Sequence, residues 1–182
     1  NSGGILSTRA THTIAGGNLT AGTHAGSLNP YELSFYLPTN QLNVTSVITD
    51  NGANAVSLVK SGASTLSLNP TLSIGTNGLM NPNSFDVTLA SGSFNTGIVV
   101  GATVTGAGIA AGTTVTALVG NNGVTLSQQP TAAVSSTLTF GLFNTYTGRT
   151  YINEGVLQIV RESDLGANPA AFTADQLTVN GG

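Results

Sequence analysis

The side chains best suited to proton transfer are two histidines near the N-terminus. His12 and His24 are the only histidines in the chain, and an imidazole can act as a general acid or base near neutral pH. Both lie in a stretch rich in Thr and Gly, where an exposed turn residue is the more common role. No Ser-His-Asp ordering stands out among the many serines. We therefore predict no histidine-based catalytic site.

Paired carboxylates are the second candidate chemistry. Glu162 and Asp164 lie close together and Glu154 shortly precedes them, and glycoside hydrolases act through two carboxylates. The alternative is a charged turn in which Arg161 offsets both acids. Carbohydrate-cleaving β-helices usually present several acids with Arg or Lys on one groove, whereas this chain has seven acids in total. The charged turn is favoured, and we predict no catalytic residue and no enzyme.

Metal and cofactor binding have little support in the sequence. Asp50-Asn51-Gly52 and residues 162–164 offer oxygen ligands but lack the acid density of a calcium loop, and turn chemistry accounts for the first of them. The chain has no cysteine, which excludes a thiolate metal site, a disulfide scaffold and a thiol nucleophile. We predict neither a metal nor a cofactor.

One aromatic side chain is a candidate for ligand contact. Tyr31, Leu33, Phe35 and Leu37 share one face of a predicted strand, because successive side chains alternate across a strand, and this face is expected to pack in the core. Tyr36 points the other way and is the aromatic expected to contact a ligand such as a sugar. The two remaining tyrosines are assigned to packing: Tyr146 and Tyr151.

Composition limits the classes of partner. Only 6% of residues are charged and the net charge is −3, with four scattered basic residues. No basic stripe exists that could neutralise phosphates, so nucleic acid is not an expected partner. Thr and Gly interrupt every apolar run before the roughly 18 residues that a membrane-spanning helix needs, so membrane insertion is not expected.

Short apolar alternations separated by turns predict an all-β chain. Asn69-Pro70 and Asn81-Pro82 bracket a segment that is expected to be rich in turns. Beyond residue 85 the expected strands become longer and recur at roughly 8–12-residue spacing, which suggests a small antiparallel barrel or sandwich. These expected strands are residues 85–89, 98–105, 113–119, 124–126 and 136–140.

A split repeat gives the chain its resemblance to a known family. Residues 144–159 read NTYTGRTYINEGVLQI and residues 61–68 read SGASTLSL. The first closely resembles the autotransporter passenger repeat N-T-Y-T-G-G-T-x-I-N-x-G-x-L-x-L, and the second resembles the G-x-G-T-L-x-L that normally stands just before it. Residues 3–22 and 42–52 resemble further repeat material. The chain departs from the repeat at Ser64, Arg149 and Gln158.

The resemblance implies a large exported bacterial protein in which the repeat is a scaffold. Because the repeat resumes at Asn144 where it stopped after Leu68, we predict an insertion. Residues 1–70 and 144–182 are expected to form a short right-handed β-solenoid or β-helix, in which each coil needs a neighbour above and below. Residues 71–143 are expected to form an inserted small antiparallel barrel or sandwich module.

The expected function is structural, as a non-catalytic repeat unit of an extracellular or cell-surface bacterial protein, adhesin or fibre. The pattern stops in mid-repeat at both ends, and open β edges favour pairing with another strand. The expected partners are therefore other copies or neighbouring repeats of the same chain, through assembly edges at Ile5, Leu6, Leu177 and Val179. A filament subunit that stacks head-to-tail, and a β-helix that binds or cleaves carbohydrate such as surface glycans, remain alternatives.

Overall fold

The computed structural model describes residues 3–8, 10–22, 31–90 and 97–181. It is all-β, with 41% of residues in strands and 2% in helix, which confirms the predicted class. The chain divides into two compact units, Asn1–Pro70 with Phe143–Gly182, and Thr71–Leu142.

Each strand is short, and one 3₁₀ turn spans Glu162–Leu165. In chain order the strands are β1 (Gly3–Leu6), β2 (His12–Ile14), β3 (Asn18–Leu19), β4 (Glu32–Tyr36), β5 (Leu42–Val44), β6 (Val47–Ile48), β7 (Ser57–Ser61), β8 (Thr65–Leu68), β9 (Thr71–Gly75), β10 (Asp86–Thr88), β11 (Thr103–Thr105), β12 (Val115–Val119), β13 (Gly123–Leu126), β14 (Thr137–Gly141), β15 (Thr150–Ile152), β16 (Val156–Ile159) and β17 (Leu177–Val179).

The first unit consists of parallel strands in three sheets. Sheet 1 has the order β1-β4-β7-β15-β17, sheet 2 the order β16-β8-β5-β2, and sheet 3 pairs β3 with β6. The chain passes through sheets 1, 2 and 3 in turn and then repeats the path; we call each passage a coil. The first coil is β1 to β3, the second is β4 to β6, the third begins with β7 and β8, the fourth with β15 and β16, and β17 begins a fifth.

In-register pairing places apolar side chains of successive coils directly above one another. Leu33 pairs with Leu58 in sheet 1 and Leu42 with Leu66 in sheet 2, and all four are buried. Burying each such side chain contributes about 1.5–3 kcal/mol. The core cluster of this unit is Ala21, Leu33, Phe35, Leu37, Leu42, Val44, Ile48, Val56, Leu58, Leu66, Leu68 and Tyr146.

The third coil is completed by residues that follow the second unit in sequence. The Thr145 amide donates to the Ile48 carbonyl over 2.8 Å, and the Ile48 amide donates to Asn144 Oδ1 over 2.8 Å. Residues 144–145 therefore lie beside β6, in the place that a third strand of sheet 3 would take.

The second unit is antiparallel. One sheet has the order β10-β13-β12 and the other the order β11-β14-β9. Alternating side chains of these strands are buried within the unit, namely Val87, Val104, Val115, Val124, Leu126, Leu138 and Phe140.

This unit was expected to be a small antiparallel barrel or sandwich, and continuous strand pairing closes no barrel over the described residues. The two sheets are joined at the bridges Thr76 with Leu89 and Thr103 with Thr114, with backbone bonds beside each bridge. Two of the expected segments need correction. The stretch 98–105 is a strand only over β11, since the Ala102 amide closes a turn onto the Val99 carbonyl. Residues 71–75, expected to be turn-rich, form β9.

Two glycines make the corner between sheets 1 and 2. Gly62 has φ +81° and Gly155 has φ +73°. A Cβ atom on Gly62 would lie 2.5 Å from the backbone of Leu37 in the coil above, and one on Gly155 would clash with the Gly62 carbonyl. Because paired strands are only about 4.8 Å apart, this corner has no room for a side chain.

Replacing Gly62 with Ala should therefore destabilise the first unit far more than positive φ alone explains. Gly16→Ala is the matched control, because Gly16 has φ +76° and open space around its Cβ position. We expect the control to cost about 1–2 kcal/mol and Gly62→Ala to cost clearly more, measured by urea unfolding. Equal losses in the two variants would contradict the close approach.

Candidate functional site

The outward face of sheet 1 carries side chains of several chemical types. Residues of neighbouring strands lie side by side on it: Ser34 pairs with Val59, Val59 pairs with Tyr151, and Tyr36 pairs with Ser61. In β4 and β7, buried residues alternate with residues that are at least partly exposed. The exposed residues of neighbouring strands therefore lie side by side and form one continuous outward surface.

A shallow groove of about 330 Å³ lies on this face, lined by Glu32, Val59, Tyr151 and Asn153. The Ser34 hydroxyl donates to Glu32 Oε1 over 2.6 Å, and the side-chain Nδ2 of Asn180 donates to Asn153 Oδ1 over 2.8 Å. The groove thus combines an aromatic ring, a carboxylate and a side-chain amide, which together can stack on a ligand and exchange hydrogen bonds with it.

The sequence predicted an outward position for one of the two outward tyrosines and not for the other. Tyr36, the predicted ligand contact, is 53% exposed, and its role stays a prediction. Tyr151 was assigned to packing; the structure places it half-exposed in the groove. The alternation Tyr151-Ile152-Asn153 could have indicated this exposure, because Tyr151 and Asn153 share one face of the strand.

The carboxylates near residue 160 serve the backbone instead of forming an exposed pair. Asp164 is fully buried, and its Oδ2 accepts the amides of Val160 and Arg161 over 2.8 and 2.9 Å. An Arg161 guanidinium nitrogen lies 3.5 Å from Asp164 Oδ1. Glu162 and Glu154 are exposed, and the ion pair of this turn joins Arg161 to Asp164.

The histidines give no acid–base pair among the described residues. His12 is exposed on β2, where it pairs with Leu42. His24 lies outside the described residues. No group of three or more His, Cys, Asp or Glu side chains that could hold a metal ion occurs in residues 3–8, 10–22, 31–90 and 97–181.

Lys60 is the one basic side chain that is fully buried among the described residues. It follows Leu58 on the inward face of β7 and pairs with Phe35 of the coil above. Its ammonium donates to the carbonyls of Ser61, Gly62 and Glu154 over 3.1, 2.5 and 3.0 Å. Burial lowers the pKa of Lys60, while attraction to the Glu154 carboxylate raises it in part. The ammonium ties two coils together, and nothing places it near a reacting group.

Tyr146 is buried beside the fourth coil. Its hydroxyl shares a 2.7 Å hydrogen bond with Thr150 Oγ1. Burial raises the pKa of Tyr146 to about 12; the bond to Thr150 acts in the opposite direction, and the negative charge of Asp164 adds to the rise.

The terminal strands expected to be assembly edges lie at opposite margins of sheet 1. Leu6 of β1 is 65% exposed, and Leu177 and Val179 of β17 are 47% and 63% exposed. Ile5 is half-buried against the core cluster. Val179 pairs with Ile152, and β17 has no further strand beside it within the described part of the chain.

Comparisons with models of protein families, with curated proteins and with solved structures give no match to this chain. The resemblance of residues 144–159 to the autotransporter repeat therefore stands on the motif alone. Within the described residues no helix is long and apolar enough to cross a membrane.

Asn144 offers a direct test of the buried polar contacts. Its Oδ1 accepts the Ile48 amide, and its Nδ2 donates to the Asp164 carbonyl over 2.7 Å. Asn144→Leu would leave both groups buried without this partner, at about 1–3 kcal/mol each, so we expect urea unfolding to show a loss of about 2–6 kcal/mol. Asn168 is exposed, so Asn168→Leu serves as the control. This variant should change the free energy of unfolding by less than about 0.5 kcal/mol. A small effect at both positions would contradict the assigned role.

Tyr146 should make stability depend on alkaline pH. The folded protein keeps the phenol proton up to pH about 12, whereas the unfolded chain loses it near 10. The free energy of unfolding should fall by about 3 kcal/mol between these pH values. In Tyr146→Phe the free energy of unfolding should no longer fall over this pH range. It should differ from that of the wild type at lower pH by a constant amount, because the bond to Thr150 is missing. Unfolding curves from pH 9 to 12 check this, and parallel profiles for the two proteins would contradict it.

Proposed function

We propose that this protein is a structural, non-catalytic unit of a bacterial extracellular or cell-surface β-solenoid, built to stack in line with further parallel coils. The observation that carries the proposal is the five-stranded parallel sheet 1, in register from β1 to β17, with an apolar strand at each margin. A stack of this kind buries its apolar face only where another coil covers it.

The inward apolar side chains at the last coil support an open stacking end. Leu177 and Val179 pair with Thr150 and Ile152, so they continue the inward columns of sheet 1. Both are about half exposed or more, because no coil within the described residues lies below them. An exposed apolar strand with free backbone groups is a template for another strand.

The second unit fits the role of an inserted module in such a stack. The chain leaves after β8 and resumes at residue 144 beside β6, so the order of sheets continues as if the intervening residues were absent. A compact antiparallel module carried on a stack could make the lateral or adhesive contacts of a surface protein. The repeat-like motif at residues 144–159 supports the same class of protein.

Head-to-tail association of identical chains is the second candidate. It is favoured by apolar residues of one inward column at both margins of sheet 1. Ile5 on β1 pairs with Phe35 and Val179 on β17 pairs with Ile152, and both Phe35 and Ile152 pair with Lys60, so one end could continue the column of the other. Covalently linked repeats and identical copies would use the same edges.

A sedimentation velocity experiment on the 182-residue chain tests the stacking edge. The wild-type chain should associate with rising concentration, and Val179→Lys should keep it monomeric, because it places a charge on the apolar edge. Val100→Lys is the matched control: Val100 is 60% exposed, close to the 63% of Val179, but lies in the second unit. That control should associate as the wild type does.

Two results would overturn the stacking edge. One is a wild-type chain that stays monomeric at the highest concentration. The other is association that Val179→Lys leaves unchanged while Val100→Lys abolishes it, which would place the contact on the second unit. Filaments seen by electron microscopy, lost only in Val179→Lys, would favour head-to-tail assembly.

A further inference from the structure

We propose that the outward face of sheet 1 binds an uncharged glycan, seated in the groove of Glu32, Val59, Tyr151 and Asn153 and extended towards Tyr36. This binding function goes beyond the stacking function, because it uses the side of the stack and not its ends. The site is built from three coils, since Glu32 lies on β4, Val59 on β7, and Tyr151 on β15 with Asn153 directly after it.

The register of sheet 1 determines how the side chains are spaced. Ser34, Val59 and Tyr151 form one row across the strands, and Tyr36 and Ser61 belong to the next outward row. Asn153 completes this second row, because its Nδ2 donates to Ser61 Oγ over 3.4 Å. Neighbouring strands are about 4.8 Å apart and residues of one strand rise by about 3.3 Å each. Tyr36 and Tyr151 are two strands and two residues apart, which separates their backbones by about 12 Å. Two aromatic rings at such a separation suit an extended ligand better than a single small molecule.

The chemistry of the groove matches the alternating surface of a sugar. A tyrosine ring offers an apolar face for the C–H side of a pyranose and a hydroxyl at its edge. Asn153 has both amide donors and an acceptor, and Glu32 supplies carboxylate acceptors for sugar hydroxyls. Glu32 accepts the Ser34 hydroxyl through Oε1, Asn153 Oδ1 accepts from Asn180 Nδ2 over 2.8 Å, and the bond from Asn153 Nδ2 to Ser61 is long at 3.4 Å. Since a carboxylate has a second oxygen and an amide nitrogen a second hydrogen, Glu32 Oε2 and Asn153 Nδ2 retain hydrogen-bonding capacity for a ligand.

Charge favours a neutral glycan over an acidic one. Glu32 lines the groove and would repel a carboxylate or sulfate. Lys60, on the neighbouring strand, is buried on the other side of the sheet. Arg149 lies in the same row as Glu32, one strand beyond Ser57, whose hydroxyl accepts the Arg149 amide. Arg149 does not line the groove, so Glu32 is the charged residue of the groove's lining.

Saturation-transfer difference NMR with purified oligosaccharides tests the site. The probes are cellohexaose, maltohexaose and mannohexaose, with hexagalacturonate as the acidic comparison. We expect millimolar or tighter binding of at least one neutral hexaose, a tenfold or greater loss of affinity in Tyr151→Ala, and a smaller loss in Tyr36→Ala. Phe172→Ala is the matched control, because Phe172 is 95% exposed in a loop of the same unit, and it should bind as the wild type does.

Four outcomes would overturn the proposal. These are no binding of any neutral hexaose, binding of hexagalacturonate alone, an equal loss in Tyr151→Ala and Phe172→Ala, or full affinity in both Tyr151→Ala and Tyr36→Ala. Should Tyr151→Ala fail to fold, Tyr36→Ala keeps the test open, because that side chain is largely exposed. The measurement repeated on Val179→Lys, which lacks the stacking edge, separates glycan binding from assembly.

Discussion

The fold of the first unit depends on rejoining a parallel stack in register after the chain has left it. Strand β15 pairs with β7, and β16 with β8, across the residues of the second unit. A slip of one residue would move every inward side chain to the outside. Polar contacts stabilise the correct register: the buried Asn144 bonds to Ile48, the buried Lys60 to the Glu154 carbonyl, and the exposed Thr147 to Asp50 through its amide and hydroxyl.

These contacts explain why the buried polar side chains of this protein are structural. Asp50 also accepts the Val56 amide over 2.8 Å, so a single carboxylate ties the loop before β7 to the returning chain. Lys60 and Asp164 use their charges on backbone groups of neighbouring turns. Burying a polar group costs free energy unless the group is hydrogen-bonded in this way. The hydrogen-bonding groups of these side chains are engaged by contacts within the fold. Side chains available for recognition therefore lie on the outer face of the sheets.

The outer face of sheet 1 also shows which features cannot be predicted from a single sequence. Alternation within one strand distinguishes Tyr36 from its inward neighbours Phe35 and Leu37, which are buried, because strand geometry is local. Which residues of distant strands lie side by side depends on the register between coils. Tyr151 and Glu32 are far apart in sequence and share one groove. Since that neighbourhood is set by long-range pairing, the groove could not be predicted from either segment alone.

The sequence by itself determined the all-β class and the inward positions of β4, because alternation and turn chemistry act over a few residues. It also contained the alternation of Leu58 and Lys60, from which a buried lysine could have been suspected. Only the tertiary structure decided which carbonyls that lysine meets, the strand order, the shortening of the expected strand at 98–105 to β11, and the contact of residue 144 with Ile48. Each of these depends on a partner that lies in another coil or beyond a turn, and no local pattern specifies a partner at that distance.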